Sequence, residues 1–239
     1  MPRFFYPQPL HIGALITLPD TIAHHVQVLR LSVGDAVTLF NGEGGEYSAT
    51  INLIEKKRVH VEVQTFLPKE VELPYAITLA QALPESSKMD GIIEKAVELG
   101  VTAIQPLSAQ RCVMRLSSER AQKKQAHWQA IIVAAAEQSG RNRLPQLAEL
   151  ADFQPWIRQE TMQHRIMLTP RATLSLPNWA RNQPAQAVTI MIGPEGGFNL
   201  AEEKAASDQG VLLLSMGTRI LRTETAGMAA VATLNAVWE

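Results

Sequence analysis

The stretch AVTIMIGPEGGF (residues 187–198) leads from an apolar segment into a loop of three glycines and one proline. The segment after it, LAEEKAASDQG (residues 200–210), has the composition of a helix, and Asn199 with Glu202 forms a capping-box pattern at its start. A strand, a glycine-rich loop and a helix in this order often bind phosphate. Glu195 lies in the middle of the loop and would repel a phosphate, so the stretch predicts a ligand that is not a simple anion.

The chain around this loop alternates between apolar strands and helices. Further strands are predicted at YAITLAQAL, VTAIQPL, HRIMLTP and GVLLLSMG (75–83, 101–107, 164–170 and 210–217). Ser87 with Asp90 predicts a capping box for a helix that ends at Gly100, and a second helix is predicted over 117–139. Because each strand is apolar throughout, the pattern predicts an α/β fold with a mostly parallel sheet covered on both faces.

The N-terminal part of the chain has a different pattern. Residues 1–70 contain four predicted short strands, at 14–18, 36–40, 46–54 and 58–66, with the turn NGEGG between the second and the third. Short strands joined by tight turns favour a small β-barrel. The segment PKEVELP (68–74) has two prolines and reads as a linker. The sequence therefore predicts two domains, 1–70 and 75–239.

Composition excludes some classes of protein. The 239 residues are 46% hydrophobic, carry a formal net charge of −1 and include one cysteine. No apolar run is long enough for a membrane span, no secretory signal is evident, and a single cysteine cannot form an internal disulfide, so a cytoplasmic location is expected. No spacing of histidine, cysteine and acids indicates a metal site.

Charge is unevenly distributed along the chain. A net charge close to zero argues against a protein that coats nucleic acid non-specifically. The segment 111–143, however, is rich in arginine and lysine. This segment is either a solvated helix face or a surface that contacts phosphates.

Loops at 168–172, 192–198 and 214–226 each follow a predicted strand, so they should converge at the carboxyl edge of the sheet and form a ligand site. Neither the dinucleotide fingerprint nor the phosphate loop with its lysine is present. The charge of Glu195 is compatible with a cationic or zwitterionic ligand such as S-adenosylmethionine, which has a sulfonium, an ammonium and one carboxylate. The loop alone narrows the ligand class without identifying the ligand.

IGPEGGF followed by LSMGTRILRTETAGMAA (214–230) resembles the motifs of the knotted SPOUT class of S-adenosylmethionine-dependent RNA methyltransferases. More narrowly, the chain resembles the RsmE family, which methylates N3 of a uridine in 16S ribosomal RNA of the small subunit. RFF, HHVQVLRLSVGD and GGEY resemble the family's N-terminal PUA-like barrel, and KMDGIIEKAVELGVTAIQPL and EQSGRNRLPQL resemble its internal blocks.

The resemblance implies an RNA-binding PUA-like β-barrel over 1–70 and a SPOUT domain over 75–239 with a C-terminal trefoil knot. It also implies a homodimer with S-adenosylmethionine held by the knot. Glycine would let the backbone approach the cofactor closely, and Thr223 or Thr225 could cap the last helix. The residues expected to bind the cofactor are Leu168, Thr169, Ile192, Gly193, Pro194, Glu195, Gly196, Gly197, Leu214, Ser215, Met216, Gly217, Ile220, Leu221, Thr223, Thr225 and Ala226.

Methylation of N3 requires removal of the N3 proton, and the acids nearest to the motifs are Glu195 and Glu224. Alternatively, Arg222 stabilises the uracil anion and water takes the proton, an interpretation that we favour slightly. His24 and His25 are weaker candidates for the base. The RNA contacts are expected from arginines and one lysine: Arg3, Arg30, Lys88, Arg111, Arg115, Arg141 and Arg143.

Three other functions compete with this one. A non-catalytic RNA-binding module would lack a cofactor site. A related knotted methyltransferase would act on another RNA, such as transfer RNA, or on a ribose 2′-hydroxyl. A nucleotide phosphate binder is disfavoured by Glu195 and by the missing lysine.

Overall fold

The computed structural model describes residues 1–55, 58–85 and 87–239. They form two compact units. The N-terminal unit contains Met1–Glu72 and Ala136–Leu144, and the C-terminal unit contains Leu73–Ala135 and Pro145–Glu239. The N-terminal unit thus includes a segment from the middle of the chain, residues 136–144, which the predicted 1–70 domain did not contain.

The N-terminal unit is built on a five-stranded sheet with the order β1-β3-β4-β5-β2. All neighbouring pairs are antiparallel except β1 and β3. Alternate residues of β5, Val59, Val61 and Val63, are buried, because successive side chains of a strand point to opposite faces of the sheet. The elements are β1 (Arg3–Phe5), β2 (Leu15–Thr17), α1 (Asp20–Val28), β3 (Ala36–Phe40), β4 (Glu46–Glu55) and β5 (Arg58–Leu67).

Helix α1 was not predicted from the sequence. It covers the sheet core with Ile22, Ala23 and Val26, which are all buried. These positions follow the spacing of one helix face. The helix is only nine residues long and has no side-chain cap, so its terminal signals are weak and packing against the sheet decides its conformation.

The C-terminal unit contains a seven-stranded sheet with the order β12-β10-β11-β6-β7-β8, and β9 also pairs with β7. Every pair is parallel, which confirms the predicted sheet type. The elements are β6 (Ile77–Ala82), α2 (Lys88–Glu98), β7 (Ala103–Ser108), α3 (Ser118–Ser139, whose last residues belong to the N-terminal unit), β8 (Gln146–Leu147), β9 (Ala151–Asp152), α4 (Phe153–Ile157), β10 (His164–Leu168), α5 (Leu176–Arg181), β11 (Val188–Ile192), α6 (Leu200–Asp208), β12 (Leu212–Leu214) and α7 (Thr223–Trp238).

The sheet order places the ends of three strands together. Strand β10 lies between β12 and β11, so Leu168, Leu214 and Ile192, which end these strands, stand side by side at one edge. All five residues of β11 are buried, as expected for a central parallel strand. Among the described residues, no helix combines the length and hydropathy needed to cross a membrane.

The last helix is anchored to the C-terminal unit by aromatic residues. The Trp238 ring centroid lies 5.2 Å from that of Tyr75 and 5.7 Å from that of Trp179. The Tyr75 hydroxyl donates to Asn235 Oδ1 at 3.2 Å. These contacts hold the C-terminal end of α7, so its N-terminal end is fixed relative to the strand ends.

Of the two predicted capping boxes, one is confirmed and one was wrong. At Asn199 the capping box is confirmed, because its side chain accepts from Glu202 N at 2.8 Å and Glu202 Oε2 accepts from Asn199 N at 2.9 Å. The capping box at Ser87 was wrong, since Ser87 makes no side-chain cap bond. Asp90 instead accepts from Trp128 Nε1 at 3.1 Å, which ties α2 to α3.

Neither Thr223 nor Thr225 caps α7, so this prediction was also wrong. The residue at the cap position is Arg222, and no side chain caps the helix. The hydroxyl of Thr223 is used elsewhere, because it donates to Gly193 O at 2.7 Å.

Candidate functional site

The loops after β10, β11 and β12 surround a cavity of about 310 Å³, which we call the cofactor cavity. They are joined by backbone hydrogen bonds, of which Leu176 N to Ser215 O (2.8 Å) and Ser215 N to Leu174 O (2.9 Å) are two. The predicted residues that line the cavity are Leu168, Thr169, Ile192, Gly193, Pro194, Glu195, Gly196, Gly197, Met216, Gly217, Ile220, Leu221, Thr223 and Ala226.

Three predicted cofactor residues do not line this cavity. Leu214 and Ser215 are buried at the end of β12, where they support the wall from behind. Thr225 is exposed on the first turn of α7. Their sequence neighbours line the cavity, so the motif indicated this loop but not which of its side chains face inward.

In the glycine loop of residues 193–197, the backbone is packed too closely at Gly193 to leave room for a side chain. A Cβ atom on Gly193 would lie 2.8 Å from Phe198 N and 2.9 Å from the Gly197 carbonyl carbon. Gly197 has a φ of +65° and donates from its amide to Pro194 O at 2.8 Å. The glycines of this loop therefore present backbone to the cavity, beside the side chains of Pro194 and Glu195.

A buried side-chain pair joins this loop to the start of α7. Gln81 Nε2 donates to Thr223 Oγ1 at 3.0 Å, and Thr223 Oγ1 donates to Gly193 O. Both side chains are almost fully buried, so these bonds are shielded from water. The position of the residues before α7 is thereby fixed by the same loop that forms the cavity wall.

Glu195 is held by two donors and is a stable anion. Its Oε1 accepts from Lys88 Nζ at 2.8 Å and from Glu85 N at 3.0 Å. Partial burial raises the pKa of Glu195, but these hydrogen bonds outweigh burial and the net pKa lies below its usual value of 4.5. A carboxylate with a lowered pKa is a poor proton acceptor, which weakens Glu195 as the general base.

We expect the Glu195 carboxyl to titrate below 4.5 in the folded protein, which ¹³C NMR of the side-chain carboxyl can measure. Because the folded pKa is lowered, its contribution to stability is present above the unfolded pKa and is lost as pH falls through the folded pKa. Lys88→Met should raise the folded pKa. A Glu195 pKa at or above 4.5 in the unsubstituted protein would contradict the pairing with Lys88.

Sequence reasoning missed several residues of the cofactor cavity. Arg171 pairs with the buried Glu203, and its Nη2 donates to Phe198 O at 3.3 Å. Arg171 belongs to the loop LTPRA (168–172), which the sequence analysis assigned to the ligand site. Its place in the site could therefore have been predicted. Phe198 ends the loop 192–198, which carried the same signal, and Glu203 lay outside all three loops. The missed wall residues are Pro170, Arg171, Phe198, Glu203 and Arg219.

A second cavity of about 300 Å³ adjoins the first, and we call it the substrate cavity. Both predicted catalytic residues line it, because Arg222 and Glu224 lie at the start of α7. Arg222 is exposed. The two cavities share the walls Glu195, Ile220, Leu221 and Thr223, and the substrate cavity adds Lys88, Arg222 and Glu224.

Two of the three predicted RNA-binding residues of the C-terminal unit help to build the site. Lys88 binds Glu195, and Arg111 Nη1 donates to Gly196 O at 2.7 Å, so both contact the glycine loop. Arg115 donates to Ser108 Oγ at 3.3 Å. Their contact with RNA stays a prediction, but each has a structural partner within the unit.

The predicted RNA-binding residues of the N-terminal unit divide into two groups. Arg3 pairs with Glu46 and Arg141 pairs with Glu72, and both guanidinium groups are largely buried. This burial does not fit the predicted phosphate contacts, because neither group faces solvent. Arg30 is exposed and Arg143 is half exposed beside Glu70, so these two remain available at the surface.

We expect Arg141→Ala to destabilise the protein by about 3 kcal/mol, because it leaves the Glu72 carboxylate without its partner in a partly buried position. Arg143→Ala is the matched control, since the pair of Arg143 with Glu70 is exposed and worth about 1 kcal/mol or less. Urea denaturation measures both. Equal destabilisation by the two variants would show that Arg141 is not a structural anchor.

The remaining candidates lie outside both cavities. Cys112 is buried, and burial raises the pKa of its thiol, so it is a packing residue in this position. His24 and His25 lie on α1 of the N-terminal unit, and the His25 ring centroid is 5.9 Å from that of Phe4. No cluster of metal-binding side chains occurs in the part of the chain that the structure describes.

Comparisons with known proteins identify the family of this chain. Residues 71–235 match the RNA methyltransferase domain family, and residues 18–64 match the RNA methyltransferase PUA domain family. The chain is 36% identical to Ribosomal RNA small subunit methyltransferase E of Synechocystis, over 95% of this chain and 75% of that protein. It is 30% identical to the protein of the same name from Buchnera aphidicola of Schizaphis graminum, over 98% and 95% of the two chains.

Two solved structures are also similar. Ribosomal RNA small subunit methyltransferase E from Neisseria gonorrhoeae, bound to S-adenosylmethionine, superposes with a TM-score of 0.92 at 36% identity, covering 100% of this chain and 98% of that one. A methyltransferase from Legionella pneumophila, in complex with the same cofactor, gives a TM-score of 0.93 at 37% identity, with coverages of 99% and 97%.

Proposed function

The chain belongs to the RsmE family of ribosomal RNA small subunit methyltransferases, and from this premise we propose that it methylates N3 of a specific uridine in 16S ribosomal RNA. The observation that carries the proposal is the pair of adjoining cavities at the carboxyl edge of the parallel sheet. One has a backbone-lined glycine loop and the other has the arginine and the free acid that the reaction needs.

The residues of the cofactor cavity fit S-adenosylmethionine. When bound, S-adenosylmethionine supplies a methyl group carried on a positively charged sulfur. Gly193 leaves no space for a side chain, so the backbone can approach a flat ligand closely. Ile192, Leu168 and Leu221 give apolar walls suited to an adenine ring.

The substrate cavity holds groups for the acid–base chemistry. N3 of uracil becomes a nucleophile only after it loses its proton, so this cavity must supply a proton acceptor and a group that stabilises the resulting anion. We place Arg222 at a uracil carbonyl oxygen, where it stabilises the anion that develops. Glu224 has a buried oxygen without a hydrogen-bond partner among the described residues, whereas Glu195 is held by Lys88, so we assign the proton acceptor to Glu224.

The proposal extends to the arrangement of the whole enzyme. The N-terminal unit, with its PUA match, binds the RNA, and Arg30 and Arg143 are its exposed predicted contacts. The chain from 214 to 230 forms a trefoil knot around the cofactor, and two copies form a homodimer in the cytoplasm. Residues 174–176, which follow β10, form hydrogen bonds and a bridge with Ser215. They therefore cover the start of the segment 214–230, which supports the proposed knot.

The proposed function is tested by incubating small ribosomal subunits with the protein and methyl-labelled S-adenosylmethionine. Mass analysis of the digested RNA should show 3-methyluridine. Calorimetry should show binding of the cofactor alone, with about 2.7 kcal/mol of added stability at a hundredfold excess over Kd. Label on a ribose 2′-hydroxyl, or only on transfer RNA, would replace the proposal with a different methyltransferase. Absence of cofactor binding would favour a non-catalytic RNA-binding module.

A further inference from the structure

The substrate cavity has hydrogen-bonding groups of both kinds on its walls. Two cationic donors come from different elements, Lys88 at the start of α2 and Arg222 immediately before α7. The acceptor is Glu224, whose Oε2 is buried and lacks a hydrogen-bond partner within the described ranges 1–55, 58–85 and 87–239. A buried carboxylate oxygen without a partner carries a desolvation cost, which a turn of the Glu224 side chain toward a hydrogen-bond donor in the cavity would relieve.

The other carboxylate of this cavity is already in use. Glu195 accepts from Lys88 and from the Glu85 amide, and Lys88 Nζ also lies 3.9 Å from Glu85 Oε2. An ammonium group has three N–H donors, so these two contacts leave Lys88 with a third for a ligand. Glu195 therefore holds Lys88 at the cavity wall, and Glu224 is the acceptor that remains for a ligand.

We propose that the substrate cavity selects uracil by its pairing edge, with Lys88 and Arg222 donating to the two carbonyl oxygens and Glu224 accepting from N3–H. This inference rests on the proposed function, because it names the features by which the same site recognises its base. It gives Lys88 a role in reading the base, in place of the phosphate contact predicted from the sequence.

The pattern of donors and acceptors distinguishes uracil from the other bases. Uracil presents acceptor, donor and acceptor along O4, N3–H and O2, which complements two cations and one carboxylate. Cytosine presents an amino donor, which would face a cation, and an unprotonated N3, which would face the carboxylate. Guanine offers one matching carbonyl and its N1–H, but its amino group would face the second cation. Unmatched groups in a site built for hydrogen bonding are strongly rejected.

The size and walls of the cavity suit a pyrimidine. Its volume of about 300 Å³ is at the lower end of ligand sites. Ile220 and Leu221 are walls of both cavities and give apolar surface for the faces of the ring. Ile220 is 85% exposed, which is unusual for isoleucine and is explained if a bound base covers it. The shared walls make the base a direct neighbour of the cofactor.

The test is an NMR titration of uridine monophosphate and cytidine monophosphate into protein loaded with S-adenosylhomocysteine. We expect uridine monophosphate to bind about tenfold more tightly or better, because cytosine would place its amino group against a cation and its unprotonated N3 against the carboxylate. Lys88→Met and Glu224→Gln should each reduce the preference, and Glu224→Gln should bring it close to one because an amide can donate or accept. Equal affinities in the unsubstituted protein, no binding of either at millimolar concentration, or a preference that both variants retain would overturn the proposal.

Two controls make the result specific. Lys95→Met removes a lysine from the same helix, but Lys95 pairs with Glu94 and Glu98 outside both cavities, so this variant should keep the full preference. Methylation of small subunits is measured in parallel. A preference for uridine monophosphate without any RNA methylation would reject the proposed function and keep the base-reading site. Methylation of uridine with no base preference would reject only the inference.

Discussion

Replacing Gly193 by alanine is expected to weaken binding of S-adenosylmethionine about 10- to 100-fold and to reduce methylation at least as much. The new Cβ would lie 2.8–2.9 Å from backbone atoms of Gly197 and Phe198, which no change of rotamer can move. The loop must shift by several tenths of an ångström, and forced repacking of this kind costs about 1–3 kcal/mol. Calorimetry with the cofactor and a methylation assay measure the two effects.

The matched control is Gly91→Ala. Gly91 lies on the exposed face of α2, and a Cβ there meets no described atom within 4 Å. This variant should bind the cofactor normally and gain up to about 1 kcal/mol of stability from better helix propensity. If Gly193→Ala kept wild-type cofactor affinity while remaining folded by circular dichroism, the loop would not be the cofactor cradle.

Arg222→Ala should lower kcat about 10²- to 10³-fold and leave the Kd for S-adenosylmethionine within a small factor. Arg222 lines the substrate cavity but not the cofactor cavity, so its loss removes stabilisation of the developing anion without removing a cofactor contact. Arg222→Lys should recover part of the rate, because a lysine keeps the charge but not the planar fork. Single-turnover methylation separates this effect from product release.

Arg120→Ala serves as the comparison, since Arg120 is exposed on α3 and lines neither cavity. It tests whether loss of any surface arginine slows the reaction through weaker RNA binding. A similar loss of rate in both variants, or an unchanged kcat in Arg222→Ala, would remove Arg222 from the chemistry.

The sequence predicted the parallel sheet and the convergence of three loops because both follow from local patterns. Apolar strands alternating with helices allow few arrangements, and loops at the carboxyl ends of neighbouring strands must meet. The capping box at Asn199 was equally predictable, since its two partners lie three residues apart.

Partners distant in sequence could not be predicted from the same patterns. Thr223 binds Gly193 and Gln81, which lie 30 and 142 residues away, and these bonds took the hydroxyl that the sequence had assigned to a helix cap. Asp90 likewise bonds Trp128 in place of its own helix terminus. In both cases a hydrogen bond between residues distant in sequence forms in place of a local one of similar strength.

Residues 136–144 have a consequence for how this chain could be divided or recombined. The polypeptide passes between its two units after Glu72, after Ala135 and after Leu144. A fragment that stops at Glu72 would lack Arg141 and Asn142, so the carboxylates of Glu72 and Glu46 would lose neighbours that they have in the intact chain. The N-terminal unit therefore cannot be exchanged as one continuous segment of the chain. A gene fusion that replaced residues 1–72 by one crossover would keep residues 136–144 of this chain, so the grafted segment would meet a part of the unit that does not match it.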